Sequence, residues 1–494
     1  ASESRNEPAQ CSEHDDVSEK TYYWLRIVPS THSQKLRDAV IAVGLLLASA
    51  FTVQLEMDEN IPYADEVQYL AMAHNLFHHG VLSLTTEPSE QRRPTALREP
   101  AYPVFLAGLM FFDDRLASGA IECVSKRASC VEAFNAAKQA NLLLYLLAGT
   151  LIWLIAREIS RRPWMAHVAL FLFLANLELH EYATYLISDF LALLLTVVAS
   201  CLVYLSFVRP RPLYALGCGA SIAFLVLTKA AFLLLGPLLV VGYAAAALRA
   251  TDEKRQRLLA SVCLFVLSYG ILIGGWGIRN WISLDRLMVT QRGGQVLAHR
   301  VELNGMTGSE YAVSFLWWTR GFGDNLARRL VDPIYYTRFE LRDPNGFYNA
   351  AQTKWIDAVA LKVASGSEQL EAEKAVGREM RDQVVLHWFK NLLVSIPVGY
   401  RGLFIDEFIV LTFPSACLLI FSRRRRVPGF LWFATPGIFA IAFHAGLTLN
   451  LPRHAIPLLP ALAIAGSYGI LWIRNWGKEH LRRWHGAVRQ SQIR

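Results

Sequence analysis

Charge is what this sequence has least of. Only 18% of its 494 residues are Asp, Glu, Lys or Arg, where soluble chains carry about a quarter. Apolar residues take their place, 53% of the total, gathered into long runs. That pattern excludes both an ordinary cytosolic globule and an intrinsically disordered chain. Cysteine is scarce, seven in all, and none stands with histidine at a metal-site spacing, so no bound metal and no cofactor are expected. A glycine-rich nucleotide loop and an internal repeat are both missing. The N-terminal 37 residues are largely polar and lack a signal peptide's short apolar core and cleavage site. The run that follows reads as a retained signal anchor.

What is present is a series of runs of bilayer length, since a core of ~30 Å takes roughly 20 helical residues to cross. They lie at 38–56, 138–156, 164–182, 186–207, 213–228, 230–248, 258–281, 401–421, 429–449 and 455–473. The prediction is an all-α integral membrane protein of about ten transmembrane helices. The net charge of +8 then concerns orientation and not nucleic acid. Arg157, Arg161 and Arg162, Arg209 and Arg211, the group Arg249, Lys254, Arg255 and Arg257, and Arg423 to Arg426 fall on one side when the spans alternate, as do Arg474, Lys478, Arg482 and Arg483. The positive-inside rule makes that side cytoplasmic, together with both termini. This count requires that the short apolar segment 100–112 lies in the outer interface and does not cross.

The predicted organisation is a cytoplasmic segment at 1–37, a transmembrane catalytic module at 38–281 with an outer loop at 57–137, a long outer loop at 282–400, C-terminal transmembrane helices at 401–473 and a basic cytoplasmic tail at 474–494. In the first loop, Val67, Leu70, Ala73, Leu76 and Phe77 recur at helical spacing and predict an amphipathic helix. Cys123 and Cys130 share that loop. An oxidising compartment would let them pair, but spacing alone leaves two free thiols as the alternative. The second loop has a charged helical part near 367–390, and its length suggests a functional cover.

Polar groups beside spans are costly and therefore functional candidates. Asp65, Glu66, Arg98, Glu99, Asp189, Lys229, Arg279, Asn280, Asn450, Arg453 and His454 all fall on the predicted outer face. A carboxylate there suits general-base work on a hydroxyl, and cations suit a lipid-linked phosphate leaving group. Asp65 and Glu66 also have a structural reading, because acids are favoured in a first helical turn. Asp189 has the same, and the outer arginines could anchor lipid headgroups.

The run DEVQYLAMAHNLFHHG (Asp65–Gly80) resembles the first outer loop of GT-C glycosyltransferases of the protein O-mannosyltransferase and lipid A aminoarabinose transferase type. REPAYPVFLAG (Arg98–Gly108), YLISDFLALLL (Tyr185–Leu195), LTKAAFLLLGPLL (Leu227–Leu239), WGIRNW (Trp276–Trp281) and LPRHAIPLLPALAIAG (Leu451–Gly466) are similar to further landmarks, in the same order. The resemblance implies a GT-C helical core with interfacial helices in the first outer loop, and an inverting, metal-free transfer. It implies Asp65 as base with Glu66 beside it, and Asp189 as a second acid. Arg98, Lys229, Arg453 and Arg279 would lie around the donor phosphate, and Tyr69, Glu99, Tyr102 and His454 would line the substrate cavity. Gln68, Ala230 and His454 depart from the usual Arg, Gly and Tyr, which leaves sugar and acceptor open.

The sequence thus predicts a membrane glycosyltransferase of a bacterial inner membrane, its active site facing the periplasm. Its partners would be a polyprenyl-phosphate-linked sugar donor, a lipid, glycan or protein hydroxyl acceptor, and membrane lipids, with no nucleic acid. A transporter or flippase of lipid-linked sugars is the alternative; midplane polar groups and repeated halves would favour it. A structural subunit of a polysaccharide assembly is a third possibility.

Overall fold

The computed structural model of the chain describes residues 32–57, 62, 64–86, 91–119, 131–423, 425, 427 and 429–492. Cys123, Cys130 and most of the N-terminal segment lie outside these residues. No strand occurs among the described residues, which form an all-α integral membrane fold. The first span is α1 (His32–Glu56), followed by the amphipathic α2 (Asp65–His79) and the short apolar α3 (Ala101–Met110). Next come α4 (Asn135–Ser160), α5 (Pro163–Leu174), α6 (Leu177–Ala183), α7 (Asp189–Val208), α8 (Pro212–Thr228), α9 (Leu235–Leu248) and α10 (Asp252–Leu284). The second long loop folds into α11 (Gly293–Asn304), α12 (Gly308–Trp317), α13 (Gly323–Leu330), α14 (Phe347–Ala364), α15 (Gln369–Leu386) and α16 (Trp388–Leu403). The chain continues through α17 (Ile409–Phe421), α18 (Phe430–Leu447) and α19 (Leu459–Gln492), the last entered by a 3-10 turn at Pro452–Leu458.

Among the described residues, 7 helices are long and apolar enough to cross a bilayer. They are α1, α4, α7, α9, α10, α18 and α19, several with the short turns that lead into them. The shorter apolar helices α5, α8 and α17 fall within the other predicted spans without reaching that length. The 10 residues of α3 extend only about 15 Å, too little to cross alone.

Two predicted spans are not continuous. The segment 164–182 breaks between α5 and α6, and 401–421 breaks between α16 and α17. Asn176 causes the first break: its side chain accepts from the Leu179 N–H and so caps α6. Its amide also donates to the Ile405 carbonyl at 2.7 Å, inside the second break. There Asp406 accepts from the Phe408 N–H at 2.9 Å and the Thr412 hydroxyl at 2.5 Å. Arg320 bridges both breaks, reaching Glu178 at 3.2 Å and Glu407 at 3.1 Å. Irregular backbone inside an apolar bundle persists only where partners of this kind satisfy it.

Three packing units position the first long loop. Tyr145, Phe173, Phe190 and Ile464 lie in the core that joins α4, α5, α7 and α19. α8 approaches α10 so closely that a Cβ at Gly219 would lie 2.5 Å from the Phe265 carbonyl oxygen. α2 lays Tyr69, Leu70 and Ala73 on Tyr102, Leu106 and Met110 of α3, and ends at Gly80, whose φ of 68° suits glycine at a helix C-terminus. The second loop has cores of its own, around Trp318, Phe339 and Phe347 and around Trp355 and Val376.

Candidate active site

Asp65 opens α2 after Ala64, which sits at a φ of 49°. A positive φ is uncommon outside glycine, and here it turns the chain into the helix. The Asp65 carboxylate accepts from two guanidinium groups that arrive from distant parts of the sequence. Arg98 pairs with one oxygen and Arg453 with the other, the latter at 3.3 Å. The Arg98 side chain is 3% exposed, while those of Asp65 and Arg453 are 29% and 28% exposed. Arg98 also donates its Nε–H to Gln68 Oε1 at 2.7 Å and lies over the Tyr69 ring, 5.3 Å from its centroid. Burial pushes the Tyr69 phenol up to about 12, although the Arg98 charge opposes the shift.

A second pair stands beside the first. Asp189, at the start of α7 and 5% exposed, accepts from Lys229 Nζ at 2.6 Å. The Tyr69 hydroxyl is 3.2 Å from the hydroxyl of Ser188, the residue before Asp189, so α2 connects the two pairs. Arg453 is within electrostatic reach of Asp189 as well as Asp65. Glu99 Oε1 accepts the Ala230 N–H at 3.2 Å and ties the Arg98 loop to the turn that carries Lys229. Burial raises the Glu99 carboxyl above the ordinary range, partly offset by the N–H groups it accepts.

The remaining predicted residues occupy supporting places. Glu66 is buried and accepts the Leu186 N–H at 2.6 Å. Tyr102, fully buried, packs edge-on against Tyr69 and donates to Asn141 Oδ1 at 3.3 Å. His454 accepts the Leu451 N–H at 3.2 Å and stacks on His444, their centroids 4.3 Å apart. Arg279 stands outside the Asp65 contacts: it donates to the Thr95 carbonyl at 3.2 Å and so holds the loop that presents Arg98. Gln291 fixes the same loop by accepting the Ala96 N–H at 3.0 Å.

Sequence reasoning did not assign Gln68, Ser188, Tyr182 or His444 to this cluster. Gln68 had a signal, because it lies one turn beyond Asp65 on the same helix face. Tyr182 reaches Asp189 and Arg453 electrostatically only because the break at Asn176 redirects α6. For His444 the only signal available was a polar residue within an apolar helix.

The cluster therefore joins two carboxylates, Asp65 and Asp189, to three cations, Arg98, Lys229 and Arg453. The more exposed acid is Asp65, and in these direct ion pairs the cations exceed the acids by one, with the buried Glu99 carboxyl within electrostatic reach of Arg98 and Lys229. Such a half-buried surplus favours an anionic ligand. No group of three or more His, Cys, Asp or Glu side chains suited to a metal ion occurs among the described residues.

No protein-family model matches the chain, and no curated protein matches it. Among solved structures, ArnT from Cupriavidus metallidurans, crystallised with undecaprenyl phosphate, is similar at 16% identity and a TM-score of 0.34. The match covers 87% of this chain and 77% of that one.

Proposed function

We propose that the chain is a membrane glycosyltransferase that moves a sugar from a polyprenyl-phosphate donor to a hydroxyl of a lipid, glycan or protein acceptor. The observation that carries this reading is the Asp65 carboxylate held between Arg98 and Arg453, beside the Asp189–Lys229 pair. The acceptor hydroxyl gives its proton to Asp65 as its oxygen bonds to the anomeric carbon. The bond from that carbon to the phosphate oxygen breaks on the opposite face, with inversion. The departing phosphate keeps the bonding electron pair and is stabilised by Arg98, Lys229 and Arg453. Asp189 faces the sugar or acceptor and holds Lys229 in place. Tyr69, Glu99, Tyr102 and His454 shape the cavity, and Glu66 and Arg279 brace the elements that carry it.

The arginine clusters support an orientation with cytoplasmic termini and an outward, periplasmic site in a bacterial inner membrane. In this reading 38–281 is the catalytic module, 282–400 the outer cover, and 401–473 contributes Arg453 and His454. The purified protein, given a polyprenyl-phosphate sugar and a hydroxyl acceptor in proteoliposomes, should release free polyprenyl phosphate. Passage of the intact donor across the bilayer with no release would overturn the reading in favour of a flippase.

A further inference from the structure

We propose that Gln68 is a positioning residue that fixes the Arg98 guanidinium and, by being neutral, leaves its charge available to an anion; this rests on the reading of Arg98 as a phosphate contact. Arg98 is almost wholly enclosed, and each of its anchors comes from the first two turns of α2. Gln68 Oε1 takes the Nε–H at 2.7 Å, the Tyr69 ring supports the guanidinium, and Asp65 takes one Nη2 hydrogen. Guanidinium has five N–H donors in a rigid fork. With Nε and one edge of Nη2 fixed, the Nη1 edge has no side-chain or backbone partner among the described residues. The group is thus oriented on one side and unpartnered on the other.

The acceptor at position 68 decides the charge of that edge. An amide oxygen fixes the fork without adding charge, and among the described residues Asp65 is the only carboxylate in an ion pair with Arg98. A glutamate of the same shape would accept the same Nε–H. It would also add a second negative charge to a guanidinium that already shares Asp65 with Arg453, and an opposite charge at hydrogen-bond distance inside a protein interacts far more strongly than in water. Gln68 sets the strength of anion binding without touching the anion.

The test uses the full chain in lipid nanodiscs with polyprenyl phosphate as the probe. Gln68→Glu should keep the wild-type melting temperature yet bind the probe about tenfold more weakly at low salt, and the gap should narrow as ionic strength rises. Gln68→Met, which keeps the bulk and removes the acceptor, should bind more weakly with no such salt dependence. Equal binding by Gln68→Glu and wild type, while Arg98→Ala loses the probe, would overturn this inference and leave the functional reading standing. Binding that is indifferent to Arg98→Ala as well would overturn both.

Discussion

The two long loop regions of this protein use the same side chains for opposite ends. In the second loop, Arg338 lies between Glu302 at 2.8 Å and Glu310 at 3.2 Å, and Lys354 completes Glu302 at 2.5 Å. Two acids meet two cations, and Thr307 and Glu310 also form a reciprocal cap at the start of α12. Arg300 is fully buried there with neutral acceptors only, the Asn391 side chain and carbonyl, Ser395 and the Ala445 carbonyl. These buried and half-buried charges are spent on holding helices together. Around Asp65 the balance differs: three cations share two acids, and Asp65 and Arg453 keep more than a quarter of their side-chain surface exposed. Ion pairs that close on themselves make a scaffold, whereas a surplus at a half-open cluster leaves work for a ligand.

Arg338→Ala sharpens this contrast most. It strands the nearly buried Glu310 and leaves Glu302 with Lys354 alone, and breaking such a pair costs on the order of 3 kcal/mol. Thermal unfolding should show a clear loss of stability, while the folded fraction binds polyprenyl phosphate as wild type does. Arg453→Gln should do the reverse. Asp65 keeps Arg98, so the melting temperature should scarcely change, but affinity for polyprenyl phosphate should fall by about tenfold, as expected for one charge-assisted contact. If both variants shifted stability and binding together, the division between scaffold and site would fail.

The smallest expected effect is a pH dependence confined to the second loop. Burial lowers His299 from 6.5 to about 4, and its ring stacks on Tyr348 at 5.0 Å. The unfolded chain then binds a proton that the folded one refuses, so this contribution is complete above pH ~6.5 and is lost as pH falls towards 4. His299→Phe keeps the stack and removes the proton site. Melting curves from pH 7.5 to 4.5 should show the variant gaining on wild type as the solution is acidified. A constant gap would show that His299 does not titrate in this way.

Much of the architecture was legible from hydropathy. The amphipathic spacing of Val67, Leu70 and Ala73 marked α2 at its observed limits, and the shortness of 100–112 separated α3 from the spans. The breaks at Asn176 and Ile405–Asp406 were not legible, because each depends on a partner more than 200 residues away. Within the site, Asp65, Arg98, Asp189, Lys229 and Arg453 stood out as charges beside apolar runs, and the fold gathers them into two neighbouring ion-paired groups. Glu66 was grouped with Asp65 in sequence, yet a helix sends adjacent residues to different faces. One points to the arginines and the other to the Leu186 N–H.

The central claim is that Asp65 is a base whose arginine partners hold the donor. It is tested most directly by measuring sugar transfer and polyprenyl phosphate binding on one preparation of Asp65→Asn, because an amide keeps the shape and cannot take the proton. The account predicts that transfer falls by about 10²–10⁴-fold while the lipid phosphate still binds. Transfer at the wild-type rate would contradict it.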